Sequence, residues 1–310
     1  MIEAFLRTID NVVLKIPYII SFQFWSDEDV PADLLIIEAL TDKLIPESVT
    51  LEIKIDGKLF FTGIIDEQIT GMRGTYFESK LIARSKAALL LDNQARPQLY
   101  SRLSLSDLFE RHIKPYGFLQ INSPQNKTIS NFLVKRGMSE WDVLSTFCKL
   151  VGLQEPYVLL NGSIEVNGRN SAKTIKFSNN SKEQPFCDIN VLNRRAQSVS
   201  QVFIKHGCDY QLCVPDLKAT SHEIFRKRYF ESKFAGKQDK LAEAEAYLKS
   251  KNKLSFLVNI VVPQFIDVGI NDRVLINHKK GQFSDLIVCG FKYEKNKWGS
   301  RTHLKLRETR

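Results

Sequence analysis

Four side chains in the last third of the sequence carry the donor atoms of a transition-metal site. His206, Cys208, Cys213 and His222 offer two imidazoles and two thiols, a set that would suit tetrahedral zinc. Their spacing is not that of a standard finger, and a strand over 199–205 continuing to His206 and Cys208 puts both on one face. No metal and no other cofactor is expected, and a metal held by these four residues is the alternative. The five cysteines (Cys148, Cys187, Cys208, Cys213 and Cys289) are odd in number and follow no regular framework, so they read as reduced thiols. The run Arg226-Lys227-Arg228-Tyr229-Phe230 mixes cations with rings, a combination able to neutralise phosphates and stack bases; a solvated strand or loop explains it as well. Motif chemistry is otherwise missing: there is no carboxylate pair, nucleophile elbow, Gly-rich phosphate loop or HExxH. Asp107 and Asp142 are accounted for by helix capping, and Trp141 and Phe147 by packing at helical spacing. A scattered acid-base site would leave no motif, since its residues need only meet in space.

The elements that would position these residues begin with strands. Residues 49–55 alternate apolar and polar, Asp56-Gly57 is a type I′ turn pair, and Leu59-Phe60-Phe61 starts the returning strand. Gly63 interrupts that strand as a bulge or close backbone approach would require, and Tyr76 to Arg84 supplies another strand after a Gly71-to-Gly74 turn.

After Asp92 the period becomes helical. Ser104 is an N-cap with Asp107 three residues on, Leu105, Leu108, Phe109 and Ile113 share a face, and Pro115 and Gly117 end the helix. The plan recurs 35 residues later: Ser139 caps with Asp142, Trp141, Leu144, Phe147 and Leu150 form the stripe, and Gly152 closes it. A hairpin with an Asn161-Gly162 turn follows. This is a duplicated helix-then-strand unit in an α/β domain.

Strands return from about Cys187, over 199–205 and 254–262, separated by a helix over 239–253 whose narrow apolar face is Leu241, Tyr247 and Leu248. The last forty residues resemble the end of the first domain. Strand, glycine, hydrophilic excursion and a final strand with a basic residue come in the same order, which makes Gly63 equivalent to Gly290 and Arg84 to Arg307. The fold class expected is α+β, mainly β: two related small β-barrel or sandwich domains, 1–92 and 187–310, flank an α/β domain over 93–186, with a helical insertion around 237–253 in the last.

Length and composition agree with this. A chain of 310 residues with 43% apolar and 25% charged side chains is long enough for two or three cores and unlike a disordered sequence. The most apolar N-terminal stretch, Val12 to Trp25, is broken by Lys15 and Pro17, so no membrane segment is expected, nor a cleaved signal. Charge is uneven: residues 1–50 hold three basic and nine acidic side chains, and residues 187–310 hold 23 and 13. Such polarity suits an acidic partner for the C-terminal part or head-to-tail pairing of copies.

In Ile45-Pro46-Glu47-Ser48-Val49, Phe61-Thr62-Gly63-Ile64-Ile65-Asp66, Ala83-Arg84-Ser85-Lys86 with Leu90-Leu91-Asp92, Pro115-Tyr116-Gly117-Phe118 and the C-terminal strand-glycine-strand unit, the chain resembles the hub proteins of phage tails. That group includes late-control proteins, contractile-phage baseplate hubs and hubs of phage-derived bacteriocins. The resemblance covers nearly the whole length and departs at Phe265 to Ile270, where many relatives carry an aromatic and a Pro-Gly pair. It implies a structural, non-enzymatic protein of the virion tail baseplate or a phage-like particle, assembled in the bacterial cytoplasm. A homotrimer would adapt a sixfold tail tube or distal tail protein to the threefold central spike and other baseplate components, with DNA or a tape-measure protein passing through the lumen. Two β-domains per chain let three chains imitate six subunits. The ring or tube interface is then expected at Asp56, Gly57, Phe61, Gly63 and Ile65 and at Leu286, Val288, Gly290 and Phe291. Two other readings remain: a nucleic-acid-binding module using the basic C-terminal region, and a cell-wall hydrolase component.

Overall fold

The computed structural model describes residues 1–169, 173–180, 182–232 and 236–309, and is mainly β with five α-helices. Contacts divide it into two units. The first holds residues 1–171, 264–270 and 290–302; the second holds 172–263, 271–289 and 303–310.

The first unit opens with β1 (Ile2–Thr8), β2 (Val13–Lys15), β3 (Tyr18–Asp27), β4 (Val30–Thr41), β5 (Ser48–Ile55), β6 (Lys58–Arg73) and β7 (Tyr76–Ser85). They pair in the order β3-β4-β7-β6-β5-β1-β2, all antiparallel. Alternation along β4 and β7 buries Leu35, Ile37, Ala39, Leu81 and Ala83 on one face, as period two requires. Asp56 and Gly57 both take positive φ, 50° and 78°, which is the type I′ turn read from the sequence. The expected turn from Gly71 is corrected: β6 runs on to Arg73, and only Gly74 and Thr75 separate it from β7.

The rest of this unit is α/β. In it α1 (Ala88–Asp92), β8 (Gln98–Ser104), α2 (Leu105–Leu108), β9 (Ile121–Asn122), β10 (Thr128–Val134), α3 (Glu140–Leu150), β11 (Tyr157–Val158) and β12 (Ile164–Glu165) surround a core that includes Leu90, Leu103, Leu108, Phe132, Trp141, Leu144 and Phe147. Both capping boxes form, Ser104 with Asp107 and Ser139 with Asp142. Gly117 and Gly152, 35 residues apart, take the left-handed conformation (φ 78° and 73°) that ends each helical stretch. Leu150 leaves the expected stripe and is 39% exposed. After each such glycine the chain enters a short strand, β9 or β11, and both flank β12.

In the second unit β13 (Thr174–Ser178) and β14 (Asp188–Asn193) precede β15 (Gln201–His206), β16 (Asp209–Pro215), α4 (Leu217–Ser221), β17 (Lys227–Phe230) and α5 (Lys237–Asn252). Next come β18 (Phe256–Val262), β19 (Arg273–His278), β20 (Gly281–Asn296) and β21 (Gly299–Glu308). The order is β14-β18-β21-β20-β19-β13. A separate three-stranded sheet, β16-β15-β17, packs with α5 around Val202, Ile204, Val214, Ala244 and Leu248, so the expected helix docks by its apolar face. The expected barrels do not close. Each sheet stays open among the described strands, because no ladder joins its terminal strands.

Candidate functional site

The most acid-base-like cluster was not legible in the sequence. Tyr100 comes from β8, His112 from the widened helical turn Phe109–Ile113 that follows α2, and Glu140 from the first turn of α3; all three are buried. His112 Nδ1 lies 2.7 Å from Glu140 Oε2, and its Nε2 lies 2.9 Å from the Tyr100 hydroxyl. Gln98 Nε2 donates to that hydroxyl at 2.5 Å, and the Tyr116 hydroxyl donates to Glu140 Oε1 at 3.3 Å. Burial and the nearby Glu140 carboxyl raise the Tyr116 phenol above its usual range. Both imidazole nitrogens are occupied and the hydroxyl is itself buried, so the network suits bracing two helical segments and a strand. The residues are 12 and 28 positions apart; the available sequence signal was a charged Glu140 beside the apolar stripe of α3.

The other polar sets stay apart or serve packing. Among the described residues no three His, Cys, Asp or Glu side chains gather as a metal site. His206 ends β15 opposite Asp209, Cys213 pairs with Phe203 in the ladder, and His222 caps the C-terminus of α4. In β17 the Tyr229 ring stacks on Phe203 at 5.6 Å and meets Tyr210 edge-on at 5.1 Å, while Lys227 Nζ lies 5.6 Å from the Phe203 centroid. These rings stack on one another.

What the fold repeats is a five-stranded module. The order β3-β4-β7-β6-β5 recurs as β14-β18-β21-β20-β19. A single offset of 223 residues carries Lys58 onto Gly281, Arg73 onto Asn296, Tyr76 onto Gly299 and Ser85 onto Glu308, so both long strands have 16 residues and both final strands 10. Ladder pairs follow the same offset: Leu51↔Gly63 becomes Val274↔Leu286, and Ile55↔Lys58 becomes His278↔Gly281. Buried positions also coincide, as Leu35, Ile37, Ala39, Leu51, Ile53, Leu81 and Ala83 map onto Val258, Ile260, Val262, Val274, Ile276, Leu304 and Leu306. In both ladders the register slips in the middle, between Ile53 and Lys54 and between Val274 and Ile276.

The copies differ at their margins. Only Glu28 and Asp29 separate β3 from β4, whereas residues 194–255, with the β16-β15-β17 sheet and α5, separate β14 from β18. On the far side β5 pairs antiparallel with β1, but β19 pairs parallel with β13. The offset confirms Arg84 with Arg307 and corrects the glycines: Gly63 corresponds to Leu286, and Gly290 to Glu67. Two glycines in similar surroundings mimicked equivalence, but strand register decides it.

Of the residues expected at an interface, Asp56 and Gly57 lie at an exposed turn. Phe61, Gly63, Leu286, Val288 and Gly290 are buried within the chain, and Ile65 and Phe291 are half-buried. A Cβ on Gly63 would stand 2.3 Å from the Arg84 carbonyl oxygen, which is the close approach expected there. Phe291 joins a ring cluster in the first unit where the distal half of β20 pairs with β3, from Gly290↔Asp27 to Lys295↔Phe22. Phe24 is 4.8 Å from Phe60, 5.9 Å from Phe291 and 6.2 Å from its ladder partner Tyr293, whose hydroxyl donates to the Ile266 carbonyl at 2.6 Å.

That architecture recurs in solved structures. The tail protein of Neisseria meningitidis aligns with 99% of this chain and 96% of its own, at TM-score 0.79 and 19% identity. The 43 kDa tail protein of prophage MuSo2 from Shewanella oneidensis aligns with 99% and 97%, at TM-score 0.80 and 12% identity. The chain has the fold of phage tail proteins. The same fold extends to the E. coli c3393 protein, a component of the type VI secretion system described as similar to the T4 tail proteins gp27 and gp5; it aligns with 96% of this chain and 75% of its own, at TM-score 0.61 and 8% identity. No protein-family model matches the sequence, and neither does any curated protein. Among the described residues no helix is long and apolar enough to cross a membrane.

Proposed function

We propose that this phage-tail fold serves as a structural subunit of a tail baseplate, a hub in which three chains form a ring between a sixfold tube and a threefold spike. The observation that carries the reading is the repeated five-stranded module, held in one register by the 223-residue offset. Two like modules per chain present six like surfaces from three copies, which is what a symmetry adaptor needs. Residues 1–92 and 187–310 supply the tube-facing modules, and residues 93–186, which carry no copy of the module, are the part turned to the spike. The hairpin around Asp56–Ile65 and the stretch Leu286–Phe291 of β20 shape the ring from within these modules, through strand geometry, since Phe61, Gly63, Leu286, Val288 and Gly290 are already buried within the chain.

A structural role without chemistry accords with the Tyr100–His112–Glu140 network, whose polar atoms are spent on one another. Mass measurement in solution tests the hub. A species of three chains is expected; a strict monomer at high concentration, with and without a spike partner, overturns it. The exposed Tyr229 beside Lys227 keeps one second reading, nucleic-acid binding. Weak, salt-sensitive and sequence-independent DNA affinity fits a hub lumen, whereas tight binding at physiological salt would favour a dedicated binder.

A further inference from the structure

Inside the chain, the distal half of one 16-residue strand already completes the other module. Gly290 to Lys295 of β20 lie antiparallel along the outer edge of β3. The corresponding parts of the opposite modules have no such partner among the described residues. Residues 67–72 of β6 pair with β7 alone, and the outer edge of β14 ends its sheet. Both bare edges carry apolar side chains in solvent: Ile69 is 54% exposed, Met72 75% and Val191 43%. Unpaired, apolar strand edges are templates for adding a strand.

We propose that residues Glu67–Met72 of one copy pair antiparallel with Ile189–Arg194 of the next, repeating between chains the β20–β3 ladder seen within one. This rests on the trimeric reading and specifies its interface. The register follows from the repeat. The ladder pairs of β3 with β4 and of β14 with β18 place Phe24 at the position of Val191, while the 223 offset places Tyr293 at the position of Thr70. Phe24↔Tyr293 therefore becomes Val191↔Thr70. By the same transfer Ile69 faces Leu192, Met72 faces Ile189, and Glu67 faces Arg194, an opposite-charge pair at the end of the ladder. The contact is heterologous, with different surfaces on the two copies, and closes only as a ring. Module 2 completes module 1 within a chain, module 1 completes module 2 of the neighbour, and six modules close from three chains.

The test is disulfide trapping on the full chain. Exposed Cys187, Cys208 and Cys213 are first changed to serine, and Thr70→Cys is combined with Val191→Cys, or Ile69→Cys with Leu192→Cys. Directly opposed residues on antiparallel strands lie about 4.5–5.5 Å apart at Cα, within disulfide reach, and the two pairs sample both hydrogen-bonding positions. Reducible species of two and three linked chains are expected from a double variant and from neither single variant. As a check independent of cysteine geometry, Glu67→Arg and Arg194→Glu should each weaken trimer association by roughly tenfold, and their combination should restore it. A wild-type mass of three chains with no cross-link from either pair and no rescue by the charge swap overturns this ladder and leaves the trimer standing. A wild-type monomer overturns the trimer and the ladder together.

Discussion

The same module position is finished in aromatic rings in one place and left bare in another. Where β20 runs along β3, Phe22, Phe24, Phe60, Phe265, Phe291 and Tyr293 interlock, and Phe24 is 5% exposed. At the corresponding edges of the other copies stand Ile69, Thr70, Ile189 and Val191, smaller or aliphatic and in part solvent-facing. Burial within a chain is permanent and rewards large rings, each worth kilocalories of area and about 1 kcal/mol more per well-placed pair. An edge that must remain soluble until it meets a partner cannot expose such rings, so it carries smaller groups with charge at the rim.

The comparison breaks most visibly if the aromatic joint is emptied. Phe24→Ala should cost about 4 kcal/mol of unfolding free energy, measured by urea denaturation, because Phe24 is buried and meets the rings of Phe60, Phe61, Phe291 and Tyr293. Val191→Ala, its counterpart, should change the stability of the isolated chain by less than about 0.5 kcal/mol. Equal losses would mean that the two edges are not in different environments.

A control outside the repeat comes next. His112→Ala removes two buried hydrogen bonds and leaves Glu140 and Tyr100 facing each other across a void, so a loss of about 3 kcal/mol is expected with unchanged oligomer mass. A fall in trimer mass without a fall in stability would make this network part of the interface.

Smaller effects separate the two glycines. A Cβ on Gly63 would meet the Arg84 carbonyl oxygen at 2.3 Å, so Gly63→Ala should cost about 2 kcal/mol through backbone displacement. On Gly290 it would meet the Asp27 carboxylate at 3.0 Å and the Ser26 carbonyl oxygen at 3.3 Å, contacts relieved by shifts of a few tenths of an ångström, so Gly290→Ala should cost under about 1 kcal/mol in thermal unfolding. Equal costs would restore the equivalence that strand register denies.

Thiol labelling gives the mildest probe. Burial pushes the Cys148 thiol up to about 12, and Cys289 is fully buried with its Sγ 3.2 Å from the Lys305 carbonyl oxygen. Native protein at pH 8 should therefore react most rapidly at Cys187 and Cys208, more slowly at Cys213, whose thiol partial burial raises, and slowest at the other two. Protection of Cys187 on trimer formation would sharpen the picture, since it adjoins β14.

Local signals were legible wherever the physics is local. The Asp56-Gly57 turn, both Ser/Asp capping boxes, the glycine helix ends and the helix before β18 follow from φ preference, side-chain reach and apolar period, each set within a few residues. The duplicated module was visible only in outline. Its offset is uninterrupted from Asp33–Ser85 to Phe256–Glu308, yet identities such as Ile37/Ile260, Phe60/Phe283, Leu81/Leu304 and Arg84/Arg307 are sparse, and conspicuous glycines drew the alignment off by four residues. Aligning buried alternation in place of glycines would have recovered it.

By itself the sequence determined the alternation that makes these strands, the turns between them and the caps of the helices, since all depend on neighbours along the chain. Tertiary structure alone decided which strands share an edge, that His112 lies between Tyr100 and Glu140, and that one half of β20 has a strand on both sides while, among the described residues, the matching half of β6 has one on a single side. Those are matters of distance in space between residues up to hundreds of positions apart, which one-dimensional spacing does not encode.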